Sequence, residues 1–411
     1  MKTKTRPNQH HRAVLRQICE LIPTHLVAKL ARETGVDERA RTFSPWSHVV
    51  ALMYGQLSHA VGLNDVCDAL KLQSTALASI RGAKAPSKNA FSHANRERDC
   101  ALAQRLFWAV LEHIQGEYPR FGRRGRSGKL GWRFKRTLHV VDSTTIQLVA
   151  NCMDWAKHRR RKAAAKCHVR LELQSLLPRF AIVATALEHD NTRARELCAG
   201  LQAGEVATFD KAYLDLDHLH DLTERDVWWV TRAKEYLSME VVESRPVRDP
   251  RIITDEVVVL TGPRGRKDYP QTLRRVTAWV EVDGRQRKMV FLTNHLEWAA
   301  TSVVELYGCR WDIEVFFKEL KQTVQLVDFL GNSENAVKWQ VWTALLVHLL
   351  LRLLAWRHGW QHSFSRIVTY VRAALWLPRS LPELLAACGT AAVHRRCCSA
   401  TLQAWLPGFP T

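Results

Sequence analysis

The chain has 411 residues, with 60 Lys and Arg against 40 Asp and Glu, a formal charge of +20 and an apolar fraction of 46%. That apolar fraction is globular, and the length provides for two or three domains with a sizeable core. So positive a chain meets a polyanion, with nucleic acid the leading candidate and an acidic membrane surface the second.

Residues 1–12 are basic and polar with no apolar stretch behind them, so no secretory signal is expected. Apolar positions recur at helical spacing over 13–30, 45–57, 64–70 and 89–114, with breaks at Gly35, Gly62 and residues 82–86. Residues 87–96 resemble the start of a recognition helix, with small and polar side chains beside Arg96; many surface helices begin the same way, so DNA contact and plain exposure both stay open. Residues 118–136 hold eight cations and no acid, punctuated by four glycines, and read as a basic arm that either touches phosphate or is simply solvated.

The texture then changes. Strand patterns are expected over 137–141, 143–148, 168–176, 179–187, 205–209 and 226–232, with helices over 192–201 and 213–222: a mixed sheet covered by helices. From about 239 to 289 strand follows strand, separated by turn signals at 262–265 and 283–284. The longest apolar run, 341–356, is interrupted by His348 and Arg352 and is better explained by a buried helix than by a membrane span. The ten cysteines include no CxxC pair, so neither a zinc ribbon nor a disulfide framework is supported, and a cytoplasmic protein with reduced thiols is expected. No Gly-Lys-Ser/Thr phosphate loop is present, which argues against an ATPase.

The chemistry concentrates at residues 307–321. At about 100° per residue, Tyr307, Arg310, Glu314, Lys318 and Lys321 share an arc beside an apolar stripe of Leu306, Cys309, Ile313, Phe316, Phe317 and Leu320. One carboxylate ringed by cations and a phenol can hold a divalent metal next to phosphates; a solvated face of i,i+4 ion pairs explains the same pattern. Asp142 and Asp210 each close a β-run, where side chains at strand ends gather around a crevice. Three converging carboxylates need a cation between them, and one or two Mg²⁺ ions held through oxygens would drive an in-line phosphodiester displacement. Lys166, His168, Arg310, Lys318 and Lys321 supply positive charge for a polyanionic substrate. Asp190 competes with Asp210 for the second position; Glu305, Asp312 and Glu319 fall off the polar arc.

The spacing Tyr307-x2-Arg310-x3-Glu314-x6-Lys321 resembles the Y-R-E-K signature of bacterial insertion-sequence DDE transposases of the insertion-sequence-four family. Asp142 and Asp210, the latter followed by Tyr213, look like that family's two aspartates. Lys318 matches a DNA-contacting lysine, and Trp155, Ala156, Arg160, Lys162, Lys166 and His168 are similar to its basic run before the second strand. The resemblance implies an α/β, RNase H-like catalytic core over 136–238 and 290–356, an all-β insertion over 239–289, a helical N-terminal DNA-binding domain over 1–117, a basic linker over 118–135 and a helical tail over 357–411. It implies Mg²⁺, with Mn²⁺ substituting, at Asp142, Asp210 and Glu314. It implies cleavage at the terminal inverted repeats and strand transfer into target DNA by a homodimer in a synaptic complex, within the bacterial cytoplasm and its nucleoid, without a membrane. Tyr307 would contact a phosphate beside a distorted base, and Trp279 is the candidate for stacking on such a base, with a strand-core tryptophan as the plain alternative. A metal-dependent nuclease without strand transfer and a non-catalytic DNA-binding derivative remain the competing functions.

Overall fold

The computed structural model describes residues 12–36, 42–122, 136–148, 157–159, 162–185, 190–282, 284–323 and 329–387. Most of the basic linker, Trp155, Ala156, Arg160 and residues 388–411 lie outside these. The chain divides into two compact units, Met1–Val110 with Trp342–Thr411, and Leu111–Val341.

The first unit is helical. The run expected over 13–30 splits into Val14–Cys19 and Leu26–Glu33. Pro23 lies between them; it lacks an N–H and drives its predecessor out of the α region. Helix Pro45–Ser58 starts where the Ser44 hydroxyl accepts the Ser47 amide at 3.1 Å, with proline in the first turn. The run expected over 89–114 also splits. Ser87 caps Lys88–Glu97, and Asp99 accepts the amide of Ala101 at 2.8 Å, at the start of Ala101–Glu117. In Lys88–Glu97, Phe91, Ala94 and Asn95 are buried, the last within 2.8 Å of His48, while Lys88, Asn89, Ser92, His93 and Arg96 are exposed. The C-terminal helices Phe364–Ala373 and Leu381–Ala386 belong to the same unit. The amides of Val14 and Leu15 donate to Leu377 and Leu375 at 3.2 and 2.9 Å. The two compact units divide after Val341, whereas the catalytic core was expected to run to residue 356; hydrogen bonds between distant ends of a chain leave no local pattern. Helix Glu334–Arg357 is long and apolar enough to cross a membrane, yet 83% of its apolar window is buried inside the protein.

The second unit is built on one ten-stranded sheet. Its strands are β1 (Leu138–Leu148), β2 (Lys157–Arg159), β3 (Lys162–Glu172), β4 (Leu177–Thr185), β5 (Val206–Phe209), β6 (Trp228–Arg232), β7 (Met239–Ser244), β8 (Ile252–Leu260), β9 (Leu273–Val282) and β10 (Arg285–Thr293). The order is β2-β3-β1-β5-β6-β10-β9-β8-β7, with β4 also on β3. β1, β5 and β6 run parallel and the remaining pairs antiparallel. The series β4-β3-β1-β5-β6 is the RNase H-like core. β3 and β4 begin before their expected starts because the turn is at residues 173–176, where Leu176 takes φ +54°, and Pro178 is accommodated inside β4 beside a register shift.

The insertion is not a separate β-domain. β10 pairs with β6 from Phe291–Arg232 to Thr293–Val230, and β9, β8 and β7 extend the same sheet. It also includes the short helix Pro263–Asp268, where Pro263 follows Gly262 in the first helical turn. One face of the sheet packs Val141, Phe209, Trp229 and Leu292 under Ala194, Leu197, Leu219 and Leu222 of helices Asp190–Cys198 and Leu216–Glu224. Helices Ala300–Gly308 and Trp311–Lys318 cover the opposite face.

Candidate active site

Val141 and Phe209 are register partners on the parallel β1–β5 ladder and both enter the apolar core. Side chains alternate across a strand, so Asp142 leaves β1 on the other face, under the Trp311–Lys318 helix. Asp142 was expected to end a β-run; it lies instead inside β1, because residues 143–148 stay paired with β3. Asp210 follows the last residue of β5, where a 3-10 turn over Lys211–Tyr213 begins, and its carbonyl accepts the Tyr213 amide at 2.9 Å.

The 307–321 segment is not one uniform helix. It passes from Ala300–Gly308 through i→i−3 bonds at Arg310, Asp312 and Ile313, into Trp311–Lys318, then widens into a π turn over Glu319–Thr323. Ile313, Phe316, Phe317 and Leu320 are buried as the apolar stripe requires, and Glu314 and Lys318 are exposed. Tyr307 departs from expectation. It is buried, its ring 5.1 Å from Phe291, and its hydroxyl donates to Asp210 Oδ1 at 3.3 Å. Burial pushes its phenol up to about 12.

Arg310 joins the other two carboxylates. Its Nη1 is 3.1 Å from Asp142 Oδ2 and its Nη2 is 2.8 Å from Glu314 Oε1. The guanidinium lies 5.7 Å from the Tyr307 ring and 5.9 Å from the Trp311 ring. Burial alone would lower the Arg310 pKa, but Tyr307, Asp142, Glu314 and Asp210 together raise it. Burial pushes the Asp142 carboxyl up to about 6; the Ser143 amide, 2.7 Å from Oδ1, and Arg310 oppose that rise, while the nearby Asp210 and Glu314 charges add to it. One guanidinium thus engages Asp142 and Glu314, and one phenol engages Asp210.

Lys321 approaches Cys167, a residue of β3 on the Asp142 face, and its half-burial lowers its pKa. Lys166 and His168 do not share that face. Their partners on β1 are Thr145 and Ser143, out of phase with the Asp142–Val169 pair, so both point to the opposite side. His168 is fully buried there, its Nδ1 3.3 Å from the Tyr213 hydroxyl. Sequence reasoning missed this buttress; Tyr213, three residues beyond Asp210, was its only local signal. Trp279 is 46% exposed on β9, opposite Lys288, and not a core residue.

Among the described residues, no three His, Cys, Asp or Glu side chains are gathered closely enough to hold a metal ion. The donor chemistry nevertheless fits one. Asp142 and Glu314 offer hard oxygens to a shared cation, and the cation between them here is Arg310.

Residues 133–350 match the family model described as the transposase DDE domain. The chain belongs to the DDE transposases of bacterial insertion sequences. A second model, a domain of unknown function, matches residues 10–81 of this DDE transposase. Its relatives include the putative transposase y4zB of Sinorhizobium fredii, 29% identical over 66% of this chain and 72% of that protein. The probable transposase for insertion sequence element IS5377 of Geobacillus stearothermophilus is 30% identical over 56% of this chain and 59% of its own length. The transposase InsG for insertion sequence element IS4 of Escherichia coli is 25% identical over 44% of this chain and 42% of its own length.

Proposed function

We propose that this DDE transposase binds the terminal inverted repeats of its own insertion sequence, cleaves the DNA there and joins the freed 3′ end to target DNA. One observation supports the reading: Arg310 bridges Asp142 and Glu314, and Tyr307, three residues earlier, donates to Asp210, so acids distant in sequence are linked through a single helix junction. Asp142, Asp210 and Glu314 are the residues that would hold Mg²⁺ or Mn²⁺, which supplies a Lewis acid and lowers the pKa of the attacking water or 3′-hydroxyl.

The remaining work falls to the chain. Tyr307 fixes Asp210 from one side and the turn ending at Tyr213 fixes it from the other. Lys318, exposed one turn beyond Glu314, and the half-buried Lys321 neutralise phosphates flanking the scissile bond. Trp279 offers a half-exposed ring to an unstacked base. In the helical unit, the exposed Lys88, Asn89, Ser92, His93 and Arg96 of one helix suit contact with duplex ends. Two copies holding two ends would form the synaptic complex.

The test is strand cleavage, with Mg²⁺ or Mn²⁺, of DNA carrying the repeats that flank this gene. Wild type should nick at the repeat boundary, whereas Asp142→Ala and Glu314→Gln should lose at least about 1,000-fold in rate while still binding the ends. Normal cleavage by either variant would remove that residue from the site. Cleavage blind to the repeats would mean a plain nuclease, and specific binding with no cleavage a non-catalytic protein.

A further inference from the structure

The cation between Asp142 and Glu314 belongs to the protein itself. Arg310 donates from two nitrogens to one oxygen of each carboxylate, at 3.1 and 2.8 Å, so Asp142 Oδ2 and Glu314 Oε1 are already engaged. A divalent ion shared by the same two groups would compete with the guanidinium for them, because the Ser143 amide already engages Asp142 Oδ1 at 2.7 Å and a positive guanidinium lies between the two acids.

Three features make this a resting arrangement and not a permanent brace. The Nε of Arg310 is buried without a hydrogen-bond partner among the described residues, so its present pose leaves one donor unsatisfied. Arg310 is the junction between helices Ala300–Gly308 and Trp311–Lys318, where i→i−3 bonds replace the regular α pattern. Glu314, one of its two anchors, is 52% exposed and can follow or release it.

Building on the active-site reading above, we propose that Arg310 is the counter-ion of the catalytic carboxylates in the DNA-free protein and competes there with the divalent metal. Phosphates of a bound element end attract the guanidinium, free the two oxygens and admit the metal. A carboxylate pair and a phosphodiester then exchange one arginine. The two binding events are coupled, and linkage makes the coupling mutual: DNA raises metal affinity by the same factor by which metal raises DNA affinity. The arrangement keeps an unengaged transposase from carrying a loaded metal centre among cellular DNA.

The experiment measures Mn²⁺ binding by full-length protein, from the free Mn²⁺ resonance, with and without a duplex that already ends at the repeat boundary. Arg310→Gln keeps a polar but shorter side chain and drops the charge. Without DNA it should bind Mn²⁺ at least about 10-fold more tightly than wild type, and wild type should gain a comparable factor when the duplex is added. Arg310→Lys, which keeps the charge but not the two-pronged reach, should fall between them and guards against a folding defect in the first variant. Weaker or unchanged Mn²⁺ binding by both variants would overturn the proposal and make Arg310 an organiser of the ligands. Asp142→Ala, measured with the duplex bound, distinguishes the two levels of inference: if it then binds Mn²⁺ as wild type does, the metal lies elsewhere and the active-site reading itself fails.

Discussion

Asp210 is held from two sides by tyrosines that do different work. Tyr307 reaches its carboxylate at 3.3 Å, whereas the backbone amide of Tyr213 binds its carbonyl, and the Tyr213 hydroxyl meets His168 on the core face of the sheet. Removing the Tyr307 hydroxyl deletes one hydrogen bond to a half-exposed acid, which water can replace, so stability should change by less than about 1 kcal/mol. Catalysis should suffer more, because partners that orient metal ligands typically contribute about 10- to 100-fold. Tyr307→Phe is therefore expected to melt near the wild-type temperature yet need about 10-fold more Mg²⁺ for half-maximal cleavage. An unchanged Mg²⁺ requirement would show that Asp210 needs no help from the phenol. Each of the three acids carries a local mark in the sequence: a β-rich run for two of them, helical spacing among cations for the third. The misplacement of Lys166 and His168 has an equally local cause. Which face a strand residue takes depends on its register with the neighbouring strand, and a one-residue change of phase reverses it.

At the scale of elements, the 307–321 segment is not the one regular helix that its spacing led us to expect. A tightened turn at 309–313 advances the phase of the side chains, and the π turn at Glu319–Thr323 sets it back. The irregularity separates two lysines that the uniform indexing placed together, Lys318 in solvent and Lys321 half-buried toward Cys167. Lys318→Ala should lower the salt slope of end binding by about one unit with little effect on folding. Trp279→Ala should instead weaken binding by about 1–3 kcal/mol with no change of slope, since stacking releases no counterions. Fluorescence titrations over a series of salt concentrations separate the two, and a slope change in the tryptophan variant would exclude stacking. Helix starts at Pro45 and Lys88 were legible from a serine before an apolar run; the Asp99 start was overlooked. The union of the insertion with the core sheet had no such mark, because the pairing of β10 with β6 bridges strands far apart in the chain.

For the whole molecule, acid rather than alkali should be the hazard. Burial holds His48 down to about 3 and His218 down to about 4. Below about pH 6.5 the unfolded chain takes up protons that these folded imidazoles refuse. Each then removes up to about 1.4 kcal/mol of stability per pH unit as pH falls toward its folded value, and neither has an effect above neutrality. Urea midpoints at pH 7.5 and pH 5 should show this loss, and His48→Gln should show less of it; an identical loss in the variant would mean that other groups set the acid limit. The ten-stranded sheet has a mechanical meaning as well. β10 pairs with β6 and leads into the helix bearing Tyr307, while the buried Arg274, clasped to Asp255 at 2.7 Å, grips the carbonyls of Leu296 and Trp298 between them. Strands β8 and β9 are thus fastened to the segment that leads from β10 into the helix bearing Tyr307. A load applied to β7 or β8 would be carried along the ladder, like torque along a shaft, to the helix junction where Tyr307 and Arg310 meet the carboxylates.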